Sequence, residues 1–361
     1  MELSTTIPAL LSQQVATFGS ETILRKKDRG IWNAVTWSEL DDFVREIGQG
    51  LRAAGLLHDD AVVVLSETRP EFVYADLAIL GCGAASVAID PAEEAPRVGE
   101  VLRETGAAFA IVEGEEQLDK VLAVRPDCPA LRRIVIVDMK GLRDFHDPGC
   151  IGLAELVARG TGQPDWRMVT SSVGSEQTAA ILVPRHGPGR RVSHAEIVRL
   201  IDESIGVRPG DERLAVLPMR DPTERVLGLY LALKHRVVSN YLENPETATE
   251  NLREVKPTVF GADCEAWERL HARITAQSDG ATGVQKMLYQ WAIRSGAGTG
   301  VAGRLANLLV LPAVRAQLGF GRLRVAYVGD RAIPSEIDDW ARALGITVRY
   351  INPFEKGETH A

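Results

Sequence analysis

Short, near-continuous apolar runs alternate with longer stretches whose apolar positions recur every three to four residues, from one end of the chain to the other. The runs at 61–66, 84–89, 108–112, 133–137, 179–183, 214–217, 237–241, 258–260, 323–328 and 347–350 predict strands. Runs of this kind mark strands covered on both faces, as in parallel sheets flanked by helices. The periodic stretches at 37–54, 70–80, 195–205, 224–234, 248–254, 265–275 and 335–344 predict helices. Thr36 is placed to N-cap the first of these and Gly55 to end it, and Pro70 suits the opening position of the second. The alternation is that of an α/β fold.

Two segments interrupt the rhythm. Residues 138–178 hold Gly141, Pro148, Gly149, Gly152, Gly160, Gly162, Pro164 and Gly174. That composition predicts a linker, with one short helix around 154–158, joining the subregions 1–137 and 179–361. Residues 276–304 are polar and glycine-rich, with a helix near 284–293. The apolar stretch 305–318 is broken by Pro312, Arg315 and Gln317 and reads as one buried or surface-lying amphipathic helix. No stretch approaches the ~20 apolar residues of a membrane-spanning helix. The N-terminus lacks the basic start and apolar core of a signal peptide. The expectation is a soluble, cytoplasmic protein.

Composition narrows the function. With 41 basic and 49 acidic side chains among 361 residues, the formal net charge is −8. A general nucleic-acid binder needs a basic excess to displace counterions from phosphates, and none exists. The cysteines Cys82, Cys128, Cys150 and Cys264 are far apart and form neither a zinc set nor a redox pair by spacing. Reduced, partly buried thiols are expected, and no metal site.

The most distinctive local sequence is Ala179-Ala-Ile-Leu-Val-Pro-Arg-His-Gly-Pro-Gly-Arg-Arg-Val-Ser-His194. It reads as a strand, a loop rich in Gly, Pro and cations, and a helix start. That arrangement suits an anion, because backbone N–H groups and the positive helix end favour one and Arg185, Arg190 or Arg191 can add charge-assisted hydrogen bonds. Only Gly187 and Gly189 are available to form a cradle, and no Walker-type lysine is present. A solvated turn with ordinary surface arginines fits the same residues. Ser193 beside His194 is read as an N-cap with a solvent-facing histidine, Cys264 as a buried thiol, and Glu93-Glu94 and Asp338-Asp339 as solvated faces. No catalytic residue is assigned.

Several stretches, taken in order, resemble the long-chain acyl-CoA synthetases of the AMP-binding, adenylate-forming superfamily. They are Arg29-Gly-Ile-Trp-Asn-Ala-Val-Thr-Trp-Ser-Glu39, Thr68-Arg-Pro-Glu-Phe-Val-Tyr-Ala-Asp76 and the segment from Leu217-Pro-Met-Arg-Asp221 to Lys234. Asn244 to Phe260, Trp267 to Ile274, and Leu323-Arg-Val-Ala-Tyr-Val-Gly-Asp330 to Glu336 continue the likeness. The resemblance implies the large N-terminal domain of the synthetase and luciferase type, with two parallel-rich sheets layered with helices and no C-terminal domain. It places an acyl pocket near Leu217, Met219, Asp221 and Phe260, and a residual anion or nucleotide site at Arg185, Gly187, Gly189, Arg190, Arg191 and Gly329.

The departures from the family pattern shape the functional expectation. The family's hydroxyl-rich phosphate loop ending in lysine belongs between Leu182 and Ser193. Here the stretch is shorter, has no hydroxyl within it, and places Pro184 and Pro188 where N–H donors are needed. The family's Tyr-Gly-x-Thr-Glu element falls on Tyr350 to Lys356, with Glu355 for the Thr and Lys356 for the Mg²⁺-holding Glu. Asp221 stands in place of a histidine, and Asp330 follows Gly329 in place of a paired glycine. The ribose-binding Asp and the catalytic lysine of the family's C-terminal domain fall beyond Ala361. The resemblance therefore implies a pseudoenzyme: a binding, regulatory or scaffold module in fatty-acid and acyl-CoA metabolism. It would have no required cofactor, residual ATP, AMP or CoA binding at most, and no Mg²⁺. Its expected partners are a fatty acid or acyl-CoA, and a second copy or an active synthetase, with placement at the inner face of a membrane one option. The alternatives are a fatty acid–CoA ligase with altered loops completed by a separate C-terminal partner, and an acyl-CoA or fatty-acid sensor.

Overall fold

The computed structural model describes residues 6–162, 165–183, 189–202, 205–279, 283–296, 301–329 and 331–351. The strands are β1 (Thr22–Asp28), β2 (Ile31–Thr36), β3 (Ala61–Leu65), β4 (Ala85–Ile89), β5 (Phe109–Val112), β6 (Arg133–Ile136), β7 (Cys150–Gly152), β8 (Thr178–Leu182), β9 (Arg190–Ser193), β10 (Glu212–Ala215), β11 (Val238–Tyr241), β12 (Val259–Ala262), β13 (Val325–Val328) and β14 (Val348–Tyr350). They form two sheets of seven strands, ordered β7-β6-β5-β3-β4-β8-β9 and β14-β13-β12-β10-β11-β1-β2. The packing divides the chain into two units. The first holds residues 1–24, 34–203 and 218–234; the second holds 25–33, 204–217 and 235–361. The architecture is α/β.

In the first unit β3, β4, β5, β6 and β7 run parallel, and β8 joins β4 in the same sense. Every residue of β3, β4 and β5 is buried, as their unbroken apolar sequences require. Helix Trp37–Ala53 opens on a reciprocal cap: Thr36 Oγ1 accepts the Glu39 N–H at 3.3 Å, and a Glu39 carboxylate oxygen accepts the Thr36 N–H at 2.8 Å. Helix Pro70–Gly81 starts on its proline, and helix Ala95–Thr105 ends where Gly106 takes φ 62°.

The segment 138–178 is not a linker, and the packing does not follow the division into 1–137 and 179–361. Besides helix Leu153–Arg159 it carries β7 and helix Trp166–Ser171. The Trp166 indole lies so close over Gly48 and Gly81 that a Cβ at either position would come within 2.2 and 2.5 Å of ring carbons. Within the segment itself Gly160 also serves close packing, since a Cβ there would come within 2.6 Å of the Gly50 backbone nitrogen.

The predicted helix over 224–234 divides into a π-helical run, Glu224–Tyr230, and a short α-helix, Leu231–His235. The wider winding brings residues five apart onto one face. Arg225 and Tyr230 therefore both reach Asp76. An Arg225 Nη2 bonds Asp76 Oδ1, Tyr230 donates to Oδ2 at 2.8 Å, and Ser86 Oγ donates to Oδ1 at 2.6 Å. Burial alone would lower the Arg225 pKa, but Asp76 and Tyr230 outweigh it and hold the guanidinium charged. Burial is also the chief cause that raises the Tyr230 hydroxyl, so it stays protonated.

The second unit carries the parallel order β14-β13-β12-β10-β11. Helices Ala248–Val255, Cys264–Asp279, Gly283–Gly296 and Ser335–Ala343 contribute to its apolar core with β12 and β13. The single helix expected over 305–318 is two, Val301–Leu309 and Leu311–Leu318, because Pro312 cannot continue a helix but opens a new one. The cysteines are free thiols, three of them buried. Burial pushes Cys82 up to about 12.

The Asp76–Arg225 pair yields a stability prediction. Arg225→Met leaves a buried carboxylate uncompensated and should lower the unfolding free energy by about 3–5 kcal/mol. Adding Asp76→Asn removes that charge and should recover a substantial part, as read by chemical denaturation of both variants.

Candidate functional site

The distinctive sequence at 179–194 builds a hairpin. β8 and β9 pair antiparallel, with Leu182 opposite Arg190 and Ile181 opposite Arg191. The expected strand–loop–helix is therefore a strand–loop–strand, because Arg190–Ser193 pairs with β8 before helix His194–Asp202 begins. The loop is not followed directly by a helix N-terminus that could face an anion. Arg185 and Gly187 lie outside the described residues. Gly189 precedes β9, Arg191 is exposed, and Arg190 is exposed but engaged in an ion pair with Glu196. Gly329 is buried just after β13, and Asp330 and residues 352–361 lie outside the described residues.

Ser193 caps the helix as expected, accepting the Glu196 N–H at 3.2 Å. The solvent-facing histidine is corrected. His194 is 0% exposed, and its Nδ1 accepts the Ile7 N–H at 3.4 Å. Its Nε2 has no hydrogen-bond partner among the described residues. Burial pushes the imidazole down to about 4. Neutral at physiological pH and held away from Ser193 chemistry, it serves packing.

A cavity of about 420 Å³ opens in the second unit. Small-molecule pockets run from about 300 to 1,000 Å³. Leu217 and Phe260 line it, joined by Leu242, Leu252, Ala266 and Leu270. Behind Phe260 stands an aromatic cluster, with Trp267 edge-on at 5.4 Å and Phe320 at 5.1 Å between ring centroids. The wall is fixed further by Gly261, where a Cβ would come within 2.2 Å of the Tyr327 ring. The polar lining includes Glu246, Thr249, Asp263, Arg269 and Arg273. Arg269 pairs loosely with Glu265 at 3.6 Å and Asp263 at 3.9 Å. The cavity thus combines an apolar wall with a polar lining in which two arginines, Arg269 and Arg273, stand with two carboxylates, Glu246 and Asp263.

Met219 and Asp221 do not line this cavity; both belong to the first unit. Met219 is buried with its N–H on Thr68 Oγ1 at 3.1 Å. Asp221 accepts the Thr223 N–H at 2.7 Å, and burial raises its carboxyl above the usual range. Arg269, Arg273 and Thr249 were missed in the sequence. The spacing Glu265, Arg269, Arg273 along one helix face was the available signal, though it reads equally as a solvated stripe.

Among the described residues no group of three His, Cys, Asp or Glu side chains is placed to hold a metal ion. Of the arginines expected at the anion site, Arg190 is paired with Glu196 and Arg191 is exposed.

The family model for AMP-binding enzymes matches residues 11–151. The long-chain-fatty-acid–CoA ligase ACSBG2 of Rattus norvegicus is 22% identical over 96% of this chain and 56% of that protein. The long-chain-fatty-acid–CoA ligase FadD15 of Mycobacterium bovis is 26% identical over 88% of this chain and 55% of that protein. The chain thus spans about half the length of these relatives. Among solved structures, the inhibitor-bound N-terminal domain of FACL13 from Mycobacterium tuberculosis aligns with TM-score 0.69 at 15% identity, over 96% of this chain and 75% of that one. The adenylation domain of a carboxylic acid reductase from Segniliparus rugosus, in complex with AMP and a carboxylic acid, aligns with TM-score 0.75 at 14% identity, over 98% and 61%.

The buried His194 sets a pH dependence. In the unfolded chain a histidine titrates near 6.5. Because the folded value is depressed, the stabilisation is fully present above pH 6.5 and is lost as pH falls towards 4. The loss attributable to this residue should reach about 3 kcal/mol. Paired denaturation series across that window should show a shallower decline in His194→Gln than in the native chain.

Proposed function

For a chain related to the long-chain acyl-CoA synthetases and carrying the fold of the adenylate-forming N-terminal domain, we propose that it is a non-catalytic acyl-binding module. It takes a long-chain fatty acid, free or as its CoA thioester, into the second-unit cavity. The single observation that carries this reading is that cavity, apolar around Leu217, Leu252, Phe260 and Leu270 and edged by Arg269 and Arg273. Burying an alkyl chain contributes about 0.8 kcal/mol per methylene, so an apolar chamber alone confers useful affinity. The nucleotide side supports the same reading. The stretch between Leu182 and Ser193 lacks hydroxyl and lysine donors, and two of its residues are prolines. Phosphoryl chemistry depends on positioned charge, and without it most transition-state stabilisation is gone.

One observation favours a ligase instead. The β8–β9 hairpin is built as a strand pair around the position the resemblance gives to the phosphate loop. A loop of altered sequence on that frame could still hold a nucleotide when completed by a second polypeptide.

Calorimetry of the purified chain with ATP–Mg²⁺, palmitate and palmitoyl-CoA in parallel separates the readings. Heat is expected with palmitate or palmitoyl-CoA and not with ATP–Mg²⁺; fatty-acid-dependent release of pyrophosphate would establish the ligase. Thr249→Trp projects a large ring into the cavity from a partly exposed helix position. It should weaken palmitate binding by about tenfold or more, from the loss of a few buried methylenes, while leaving the melting temperature unchanged.

A further inference from the structure

Helices Gly283–Gly296 and Val301–Leu309 pack on each other in the second unit. Each has a buried side already supplied: Ala292 and Ala306 are 0% exposed, and Tyr289 accepts a hydrogen bond from the Trp340 indole at 3.1 Å. Their outer sides are nevertheless apolar. Val284, Met287 and Leu288 are spaced i, i+3, i+4 on the first helix, with 66, 67 and 47% of their surface exposed. Val301, Leu308 and Leu309 are spaced i, i+7, i+8 on the second, with 75, 73 and 68% exposed. Scattered exposed apolar residues need no explanation, but a cluster of this size on two adjoining helices does. A helix that is apolar on both sides has a second medium to meet.

The charge pattern identifies that medium. From residue 280 to residue 329 there is no Asp or Glu, while Lys286, Arg294, Arg304, Arg315, Arg322 and Arg324 are all cationic. This runs against the rest of a chain whose net charge is −8. Arg324 pairs with Asp211 and Arg315 bonds the Leu344 carbonyl, but Arg294 and Arg304 are exposed and lie beside the apolar face on their helices. Large aliphatic side chains rimmed by arginine, with no carboxylate in the same stretch of chain, form the pattern of a segment lying in a lipid headgroup layer.

We propose that the outer face of helices 283–296 and 301–309 docks on an anionic lipid bilayer. The aliphatic side chains enter the acyl boundary and Arg294 and Arg304 meet the headgroup phosphates. This surface is independent of the acyl cavity and stands or falls without it.

The test is cosedimentation of the full chain with vesicles of phosphatidylcholine alone and of phosphatidylcholine with phosphatidylserine. Binding is expected to the anionic vesicles, weaker to neutral ones, and reduced by added salt. Leu308→Glu with Leu309→Glu should lower the partition coefficient about tenfold or more. Arg294→Glu with Arg304→Glu should remove the preference for phosphatidylserine and leave binding to phosphatidylcholine unchanged. Circular dichroism of these surface variants checks that they fold. No binding to anionic vesicles, or binding that neither double variant moves, overturns the proposal. So does self-association in solution that the leucine variant abolishes without affecting vesicle binding, which would make the face a protein interface.

Discussion

The governing constraint in each unit is that a parallel sheet has to be covered on both faces. β3, β4 and β5 offer no polar residue to water on either side, and β12 and β13 are buried along their whole length. Helices must therefore close over the strands, and the quality of that closure decides what the molecule can bind. In the first unit closure is tight enough that Trp166 fits only because Gly48 and Gly81 lack side chains. In the second unit the cover over Phe260 leaves about 420 Å³ unfilled. The aromatic cluster of Phe260, Trp267 and Phe320 keeps one wall rigid, and cavities in such walls persist because side chains relax only partly into them.

Much of the fold was legible. Strands β3 to β6 and β8 announced themselves as unbroken apolar runs, and Thr36, Gly55 and Pro70 mark element ends by local chemistry that needs no tertiary context. β1, with the sequence Thr-Ile-Leu-Arg-Lys-Lys-Asp, did not, because its charged half is only partly buried and looks like solvated chain. β9 was hidden for a related reason: Arg190 and Arg191 read as anion ligands, whereas pairing with β8 turned them into an exposed strand. The glycines of 138–178 suggested a linker because sequence does not distinguish a glycine needed for a turn from one needed for close packing, as Gly160 is against the Gly50 backbone. The π-helical run was invisible, since the partner that its residues Arg225 and Tyr230 share, Asp76, lies more than a hundred residues away in the sequence.

The candidate site was legible in part. Leu217 and Phe260 do line one cavity, but Met219, only two residues after Leu217, belongs to the other unit. The chain crosses between units at residue 218, and nothing in the local sequence marks that crossing. The cationic residues at the cavity come from a helix whose outward stripe carries ordinary charge pairs. His194 shows the opposite error: a polar residue next to a cap was expected in solvent, but the cap only fixes the backbone, and the side chain is buried with its Nδ1 accepting the Ile7 N–H.

Physical chemistry thus separates two demands that the resemblance joins. Holding an alkyl chain needs only a stable apolar volume, which the second unit supplies. Holding a triphosphate needs converging donors, and the stretch between Leu182 and Ser193 contains neither a lysine nor a hydroxyl side chain. The most direct measurement is photo-crosslinking of the full chain with a diazirine-bearing long-chain fatty acid, with adducts mapped by peptide mass spectrometry. Adducts concentrated on residues 242–273, competed away by palmitate and indifferent to ATP–Mg²⁺, are what the account predicts. Adducts found only elsewhere, or appearing only when ATP–Mg²⁺ is present, would contradict it.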